Sequence, residues 1–343
     1  MDSYFLERSQ KSMRKLKEIE KELPDFCSLL FAGIQNTTGP LTRLNYGYDL
    51  RLFFSWLSGE KNRPVKELTL NDLQSLTVHD LERYMQYISL YENDENKLVE
   101  NRERGLSRKI ASIRMMFKYF YKRGDLESNV ASLLDLPKLH EKAIIRLEVD
   151  EVAKLLDEVE TGEGMSETQK RFHHQTKTRD LAMLTLFLGT GIRISECVGL
   201  NTDDVDFKNL SIRVTRKGGN QSVLFMSPEV TDAMSSYARE RAEWKGADSP
   251  AFFLSLQGER ISVRTVQKLV KKYAAIIAPL KHITPHKLRS TYGTTLYRET
   301  GDIYLVADVL GHKDVNTTRK HYAAQAEENR RLAAQSVKLR DKE

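Results

Sequence analysis

Long hydrophobic runs, cysteines and common cofactor motifs are scarce or missing in this chain of 343 residues. No window approaches the roughly 18 apolar residues of a transmembrane helix, so no membrane partner is expected. Two cysteines, Cys27 and Cys197, are too few for a disulfide framework or a cysteine metal site, and both are expected to be reduced and structural. The sequence contains no GxxxxGK[ST], no GxGxxG after a strand, no HExxH and no CxxC. We therefore predict chemistry without ATP, NAD or zinc.

The remaining composition predicts a globular protein of two domains. The length exceeds one domain at about 150 residues each, and 30% of the residues are charged while 40% are hydrophobic. The first residues are charged, with no apolar stretch before a cleavage site, which predicts a cytoplasmic protein. The pI near 9.0 and the net charge of +6 point towards a polyanionic partner, although the position of the basic residues matters more.

Hydrophobic periodicity predicts a mainly α protein with a small β-hairpin or sheet. In the first half we expect one helical stretch over about 4–35 with a break at Pro24, and a second helix in LTRLNYGYDLRLFFSWL. A third helix should begin after a cap at Thr77, and a fourth should run from an N-cap at Ser107 to Gly124. Residues 125–147 read as a linker around Pro137.

The second half is expected to begin with a helix in EVDEVAKLLDEV, a polar loop in TGEGMSETQKRFHHQTKTRD and a buried helix in DLAMLTLFLGTG. His173 and His174 in that loop have no carboxylate or cysteine at ligand spacing, so we interpret them as surface histidines. A hairpin should turn at Lys217–Asn220, with alternation in Ile212, Val214, Val223 and Phe225. Further helices are expected roughly over 228–244, 263–278, 286–299, 302–310, 315–322 and 324–340.

The segment from Arg102 to Arg123 is the most basic part of the chain. It holds eight basic residues against one acid, Glu103, which gives a local charge of +7. A solvated basic face is one interpretation, and contact with phosphates is the other, because the acids that usually alternate with lysines on a solvated face are missing. The candidate DNA contacts are Arg108, Lys109, Arg114, Lys118 and Lys122.

Several cationic residues of the second half lie where predicted elements end. Arg193 follows Gly-Thr-Gly, Lys217 lies in the predicted turn, and His286 and Arg289 share a helix face at spacing i and i+3. Thr284 can cap that helix and Pro285 suits its first position, so His286 falls in the first turn, where anions are favoured. His312 follows a glycine, and Tyr322 comes ten residues later.

Four segments carry a resemblance to a known family. GTGIRISE, VTRKGG, TPHKLRSTYGT and LGHKDVNTTRKHY occur in the order and at the spacing of the tyrosine recombinase (integrase) family, and the chain resembles its Xer-like branch most. The resemblance implies a helical core-type DNA-binding domain with an N-terminal helical extension over 1–136, and a linker over 137–147. It further implies a mixed α/β catalytic domain over 148–325 and a C-terminal helical tail over 326–343 that couples protomers.

The resemblance also implies roles for single residues. Tyr322 would be the nucleophile that forms a 3′-phosphotyrosyl link, and His286 would help to activate it. Lys217 would protonate the 5′-oxygen, and His312 would hydrogen-bond the phosphate or the phenol. Arg193 and Arg289 would hold the non-bridging oxygens, because a metal-free catalyst needs fixed cations there, and Glu196 would hold Arg193 in place.

The implied function is site-specific DNA recombination by four protomers on two inverted-repeat sites, without a cofactor. Chromosome dimer resolution and the integrase or resolvase of a mobile element both remain open, as does a partner recombinase or accessory protein. A DNA-binding regulator with a vestigial active site is a further alternative, which the completeness of the six-residue set argues against. A type IB topoisomerase shares the covalent chemistry and stays a third alternative.

Overall fold

The computed structural model describes residues 3–93, 95–138, 140, 145–216, 219–311 and 315. The chain divides into two compact units, Met1–Lys142 and Ala143–Glu343. Helices dominate the described residues, and the strands form two small sheets, which confirms the mainly α fold. None of the helices within the described ranges is both long and apolar enough to cross a membrane.

The first unit contains six α-helices and one short hairpin among its described residues. The hairpin pairs β1 (Leu90–Glu92) with β2 (Leu98–Glu100) in antiparallel register. The helices are α1 Ser3–Glu20, α2 Cys27–Gly33, α3 Pro40–Lys61, α4 Leu70–Gln74, α5 Val78–Ser89 and α6 Glu103–Arg123. Their apolar stripes meet in one core, whose largest fully buried rings are those of Phe53, Phe54, Tyr84, Phe117 and Phe120. Edge-to-face ring pairs, such as Phe53 with Tyr84 at 5.1 Å between centroids, pack this core.

Capping residues explain where these helices begin and end. The chain leaves α1 before Pro24 as predicted, and Thr77 caps α5 by accepting a hydrogen bond from the Asp80 backbone N–H at 3.3 Å. The Gly124 end of α6 is also confirmed, with φ of +79°. The predicted N-cap at Ser107 is wrong, because α6 begins at Glu103, whose carboxylate suits the positive end of the helix dipole.

The second unit arranges its described helices around one long helix, α8. A three-stranded antiparallel sheet of order β3-β4-β5 lies beside them, built from β3 Val205–Asp206, β4 Ser211–Thr215 and β5 Gln221–Phe225. The helices are α7 Val149–Thr161, α8 Glu167–Thr190, α9 Ile194–Gly199, α10 Pro228–Arg241, α11 Val263–Ile277, α12 Pro285–Thr300 and α13 Ile303–Leu310. The bounds of α7 and of α10 to α13 agree with the predicted helices to within a few residues. The helix α8 begins well before the predicted buried helix, and α9 was not predicted. The predicted helices over 315–322, apart from Val315, and over 324–340 lie outside the described residues.

The polar segment before the buried helix is helical, which overturns the loop predicted there. Ser166 caps α8 and exchanges capping hydrogen bonds with Gln169. His173, Thr176 and Asp180 recur at spacings of three and four and are all buried. The interpretation of His173 as a surface histidine is therefore wrong: its Nε2 lies 2.7 Å from the Val159 carbonyl oxygen. His174 is exposed, as expected.

Asp180 links α8 to α11 through a buried network. Its carboxylate accepts hydrogen bonds from the Arg179 guanidinium at 2.7 and 3.0 Å and from the Tyr273 hydroxyl at 3.0 Å. Burial next to this carboxylate raises the pKa of Tyr273, so the phenol stays protonated and donates. The network fixes the middle of the helix whose C-terminal end leads into the candidate active site.

The β4–β5 hairpin is confirmed, but the buried face of β5 is the opposite of the one that was predicted. Ile212 pairs with Leu224, and residues directly opposite each other share a face of the sheet. Leu224 is therefore buried with Ile212, whereas Val223 and Phe225 are 52% and 76% exposed. In the turn, Gly219 adopts φ of +86° and donates its N–H to the Arg216 carbonyl at 3.0 Å.

We predict that Asp180→Ala strongly destabilises the second unit. The substitution leaves the Arg179 guanidinium, 5% exposed, without its carboxylate, and breaking a buried ion pair costs about 3–5 kcal/mol. Urea unfolding followed by circular dichroism measures the loss. The control is Asp150→Ala, which removes an exposed pair with Lys154 and should leave the free energy of unfolding nearly unchanged. Equal losses in the two variants would contradict the assignment.

Candidate active site

Three arginines from three different elements meet at the C-terminal end of α13. Arg216 Nη2 donates to the Val309 carbonyl at 3.1 Å, and Arg193 Nη2 donates to the Gly311 carbonyl at 3.1 Å. Arg289 Nη2 donates to the carbonyl between them, that of Leu310. The last carbonyls of a helix have no intrahelical partners and carry the negative end of its dipole. Guanidinium groups satisfy both the hydrogen bonds and the charge.

Arg289 is the most deeply placed of the three. It lies on α12, is 5% exposed, and its Nη1 donates to the Gly191 carbonyl. One guanidinium thus joins the C-terminal ends of α8 and α13. Gly191 ends α8 in the left-handed region at φ of +61°, and a Cβ atom there would collide with the Tyr292 ring. Glycine is therefore required for this close approach.

Arg193 is held by an acidic neighbour and remains partly open to solvent. It occupies the N-cap position of α9, and its Nη1 donates to Glu196 Oε1 at 2.9 Å. The second carboxylate oxygen of Glu196 accepts the Arg193 backbone N–H at 3.0 Å. Glu196 is 3% exposed, whereas the Arg193 side chain is 32% exposed. The contact expected between the two residues is present, and the guanidinium can still reach an anion.

His286 lies in the first turn of α12, one turn before Arg289, and is exposed. Pro285 takes the first helical position, and Thr284 takes the N-cap position without a side-chain cap hydrogen bond. The other predicted catalytic residues, Lys217, His312 and Tyr322, lie outside the described residues. The structure therefore places His286 and brings Arg193 and Arg289 together at one helix end.

Arg216 is the member of this cluster that the sequence analysis missed. Its Nε and Nη1 are buried and have no hydrogen-bond partner among the described residues. Burial lowers the pKa of Arg216, with Arg193 acting in the same direction and Glu196 and Asp308 opposing it. The sequence feature that could have pointed to Arg216 is its position next to Lys217 at the predicted turn.

The basic side chains of α6 form two groups: an outer group that is exposed, and an inner group that contacts other residues of the first unit. Arg104, Arg108, Lys118 and Lys122 are exposed, and their spacing places them on one face that extends over about 27 Å. Lys109, in contrast, is 9% exposed, and its Nζ lies 3.8 Å from Asp49 Oδ1.

Two further contacts complete the inner group. Arg108 also contacts Asp49, although half of its side chain is exposed, and burial raises the pKa of that carboxyl against the opposing effect of both cations. Arg114 donates to the carbonyls of Ala131, at 3.1 Å, and Leu134. Lys109 and Arg114 are thus engaged within their own unit.

Across the described ranges, no group of three or more histidine, cysteine or acidic side chains could hold a metal ion. Cys27 and Cys197 are both buried and unpaired, and burial raises the pKa of each thiol. Neither thiol is therefore suited to act as a nucleophile.

Residues 146–329 match the phage integrase family. Tyrosine recombinase XerC of Caldanaerobacter subterraneus subsp. tengcongensis is 33% identical over 299 residues, covering 82% of this chain and 77% of the relative. The fold is similar to that of XerH recombinase bound to a palindromic difH substrate, with a TM-score of 0.65, 18% identity, and 87% and 80% of the two chains covered. It is also similar to the Tn1549 transposon integrase in complex with circular intermediate DNA, with a TM-score of 0.61, 19% identity, and 88% and 98% covered.

The family match spans more than half of the chain and includes Arg193, Glu196, Arg216 and Arg289, which form the cluster described above. The chain therefore belongs to the phage integrase family of tyrosine recombinases and, within it, resembles the Xer proteins.

Proposed function

We propose that this recombinase cuts and rejoins duplex DNA at specific sites through a phosphotyrosyl intermediate on Tyr322. The observation that carries the proposal is the convergence of Arg193 and Arg289 on adjacent carbonyls at the end of α13. Two cations fixed this close together suit the two non-bridging oxygens of one phosphodiester. Removing one such donor typically costs about 10²–10³ in rate.

The reaction balances without a cofactor. The Tyr322 phenol oxygen attacks phosphorus as His286 assists removal of its proton, and the bond to the 5′-oxygen breaks while Lys217 supplies a proton to that oxygen. His312 hydrogen-bonds the phosphate or the phenol. A 5′-hydroxyl from the partner DNA then attacks the 3′-phosphotyrosyl bond and releases the tyrosine. The number of phosphoester bonds is conserved, so no external energy source is needed.

The outer face of α6 suits contact with the DNA backbone. Arg104, Arg108, Lys118 and Lys122 line one side of a helix with no acidic side chain between them on that face. We assign phosphate contacts to this face, and we assign Lys109 and Arg114 to packing within the unit because both are engaged there. Phosphate contacts position a protein on DNA without reading its sequence.

The assembly that we propose follows the resemblance. Four protomers act on two inverted-repeat DNA sites in the cytoplasm, and the tail over 326–343 couples neighbouring protomers. Following the resemblance to the Xer-like branch, chromosome dimer resolution is the first candidate role, and the integrase or resolvase of a mobile element is the alternative. A second recombinase or an accessory protein is a further candidate partner.

We predict that Tyr322→Phe abolishes the covalent protein–DNA adduct and retains DNA affinity, because only a hydroxyl is lost. Denaturing gel electrophoresis of the protein with a nicked substrate detects the adduct, and a mobility-shift titration measures affinity. Tyr304→Phe is the control, since Tyr304 is 72% exposed on α13, and it should form the adduct normally. An adduct in the Tyr322→Phe protein would assign the nucleophile to another residue.

We also predict that cleavage proceeds in EDTA. The positive charge that a metal ion would supply to the phosphate comes instead from Arg193 and Arg289. Single-turnover cleavage with EDTA and with added Mg²⁺ should give similar rates for the chemical step. A strict dependence on Mg²⁺ would contradict a mechanism based on side-chain cations.

Replacing Lys118 and Lys122 with alanine should reduce the salt dependence of DNA binding. Each phosphate contact contributes a slope of about 0.9 in log K against log salt, so the double variant should lose about 1.8. Affinity measured between low and moderate salt gives this slope. The control replaces Lys21 and Lys66, exposed lysines of the same unit outside α6, and should keep the parent slope. An unchanged slope in the α6 variant would remove this face from the interface.

A further inference from the structure

Arg216 connects the β4–β5 hairpin to the C-terminal end of α13. Its backbone N–H donates to the Asn220 carbonyl at 2.7 Å, and its own carbonyl accepts the Gly219 N–H, so its main chain closes the turn. Its side chain leaves the hairpin and donates through Nη2 to the Val309 carbonyl. One residue thus contributes to both the turn and the helix end.

The Arg216 guanidinium packs so closely against position 311 that only glycine fits there. A Cβ atom on Gly311 would collide with Arg216 Nη1, and Gly311 has φ of +60°, a conformation that favours glycine. The guanidinium therefore lies directly against the backbone that also accepts the Arg193 hydrogen bond.

Burying the Arg216 guanidinium at this contact costs free energy. Nε and Nη1 of Arg216 are buried without partners in the described part of the chain, and Arg193 places a like charge nearby. A buried cation with unpaired donors costs free energy that an apolar side chain would avoid. Buried polar groups in folded proteins are almost always hydrogen-bonded, so an unsatisfied one calls for an explanation, of which a role in the site chemistry is one.

We propose that Arg216 is a positioning residue for strand cleavage. It fixes the end of β4, directly before Lys217 in the sequence, by donating to the Val309 carbonyl. This carbonyl precedes those of Leu310 and Gly311, which accept from Arg289 and Arg193. The proton donor and the phosphate-binding arginines would then share one anchor. The inference rests on the proposed function, in which Lys217 protonates the 5′-oxygen. A displacement of about 1 Å in such a group can cost about 10² in rate.

A nearby arginine provides a matched control. Arg213 lies on the same strand, but its Nε donates to Asp204 at 3.1 Å and its side chain is 51% exposed. Among the described residues it makes no hydrogen bond or ion pair with α13, so Arg213→Gln removes the same charge without touching the shared anchor.

The test compares cleavage of ordinary DNA with cleavage of a 5′-bridging phosphorothiolate, whose sulfur leaves without needing a proton. Single-turnover rates are measured for the parent, Arg216→Gln, Lys217→Ala and Arg213→Gln, and DNA affinity is measured for each. We expect Arg216→Gln to cleave ordinary DNA about 10²-fold more slowly and to approach the parent rate on the phosphorothiolate. Its DNA affinity should stay unchanged, and Arg213→Gln should behave as the parent on both substrates.

The outcomes separate the inference from the function on which it rests. If Lys217→Ala recovers on the phosphorothiolate and Arg216→Gln is equally slow on both substrates, the positioning role is overturned and the recombinase mechanism stands. If Lys217→Ala does not recover, the proton-donor assignment fails, and the positioning role fails with it. If Arg216→Gln does not fold, Arg216→Lys, which keeps the charge, replaces it in the test. A smaller loss of cleavage rate on ordinary DNA that disappears on the phosphorothiolate supports the inference. An equal loss of rate on both substrates overturns it.

Discussion

The hydrogen bonds between three arginines and the last carbonyls of α13 are the interaction on which the catalytic unit depends. They draw together the end of α8, the start of α9, the helix α12 and the β4–β5 hairpin, which are far apart in the chain. Each guanidinium has five donors, so it can satisfy a helix end and still present N–H groups to a ligand. The same contacts therefore build the fold and, in the function that we propose, prepare an anion site.

Positive charge in this protein has two distinct uses. Inside the units, cations are paired with buried acids, as Arg179 is with Asp180 and Lys109 with Asp49. Such pairs offset the cost of desolvation and fix neighbouring helices. On the outer face of α6, Arg104, Lys118 and Lys122 are exposed with no acid between them, whereas Arg108 is half exposed and also contacts the buried Asp49. The net charge of +6 conceals this separation, because paired and unpaired residues count equally in it.

Sequence reasoning succeeded where local chemistry determines structure. Turn glycines and alternating residues located the β4–β5 hairpin, Thr77 and Gly124 marked helix ends, and the family motifs identified Arg193 and Arg289, which the fold brings together. It failed where tertiary contacts decide. A helix with buried polar residues such as His173 looks like a loop, because an apolar stripe is the usual signal. The inward face of β5 follows from its register with Ile212, and the burial of Lys109 follows from Asp49, 60 residues earlier in the chain.

The central claim is that Arg193 and Arg289 bind the non-bridging oxygens of the phosphate that is cut. A substrate with a methylphosphonate at that position tests it most directly, because one charged oxygen is replaced by a neutral methyl group. The measurement is the cleavage rate of Arg289→Ala relative to the parent on both substrates, so that any loss of folded protein cancels. The account predicts a deficit of about 10²–10³ on ordinary DNA that largely disappears on one methylphosphonate stereoisomer. An equal deficit on ordinary DNA and on both stereoisomers would contradict it.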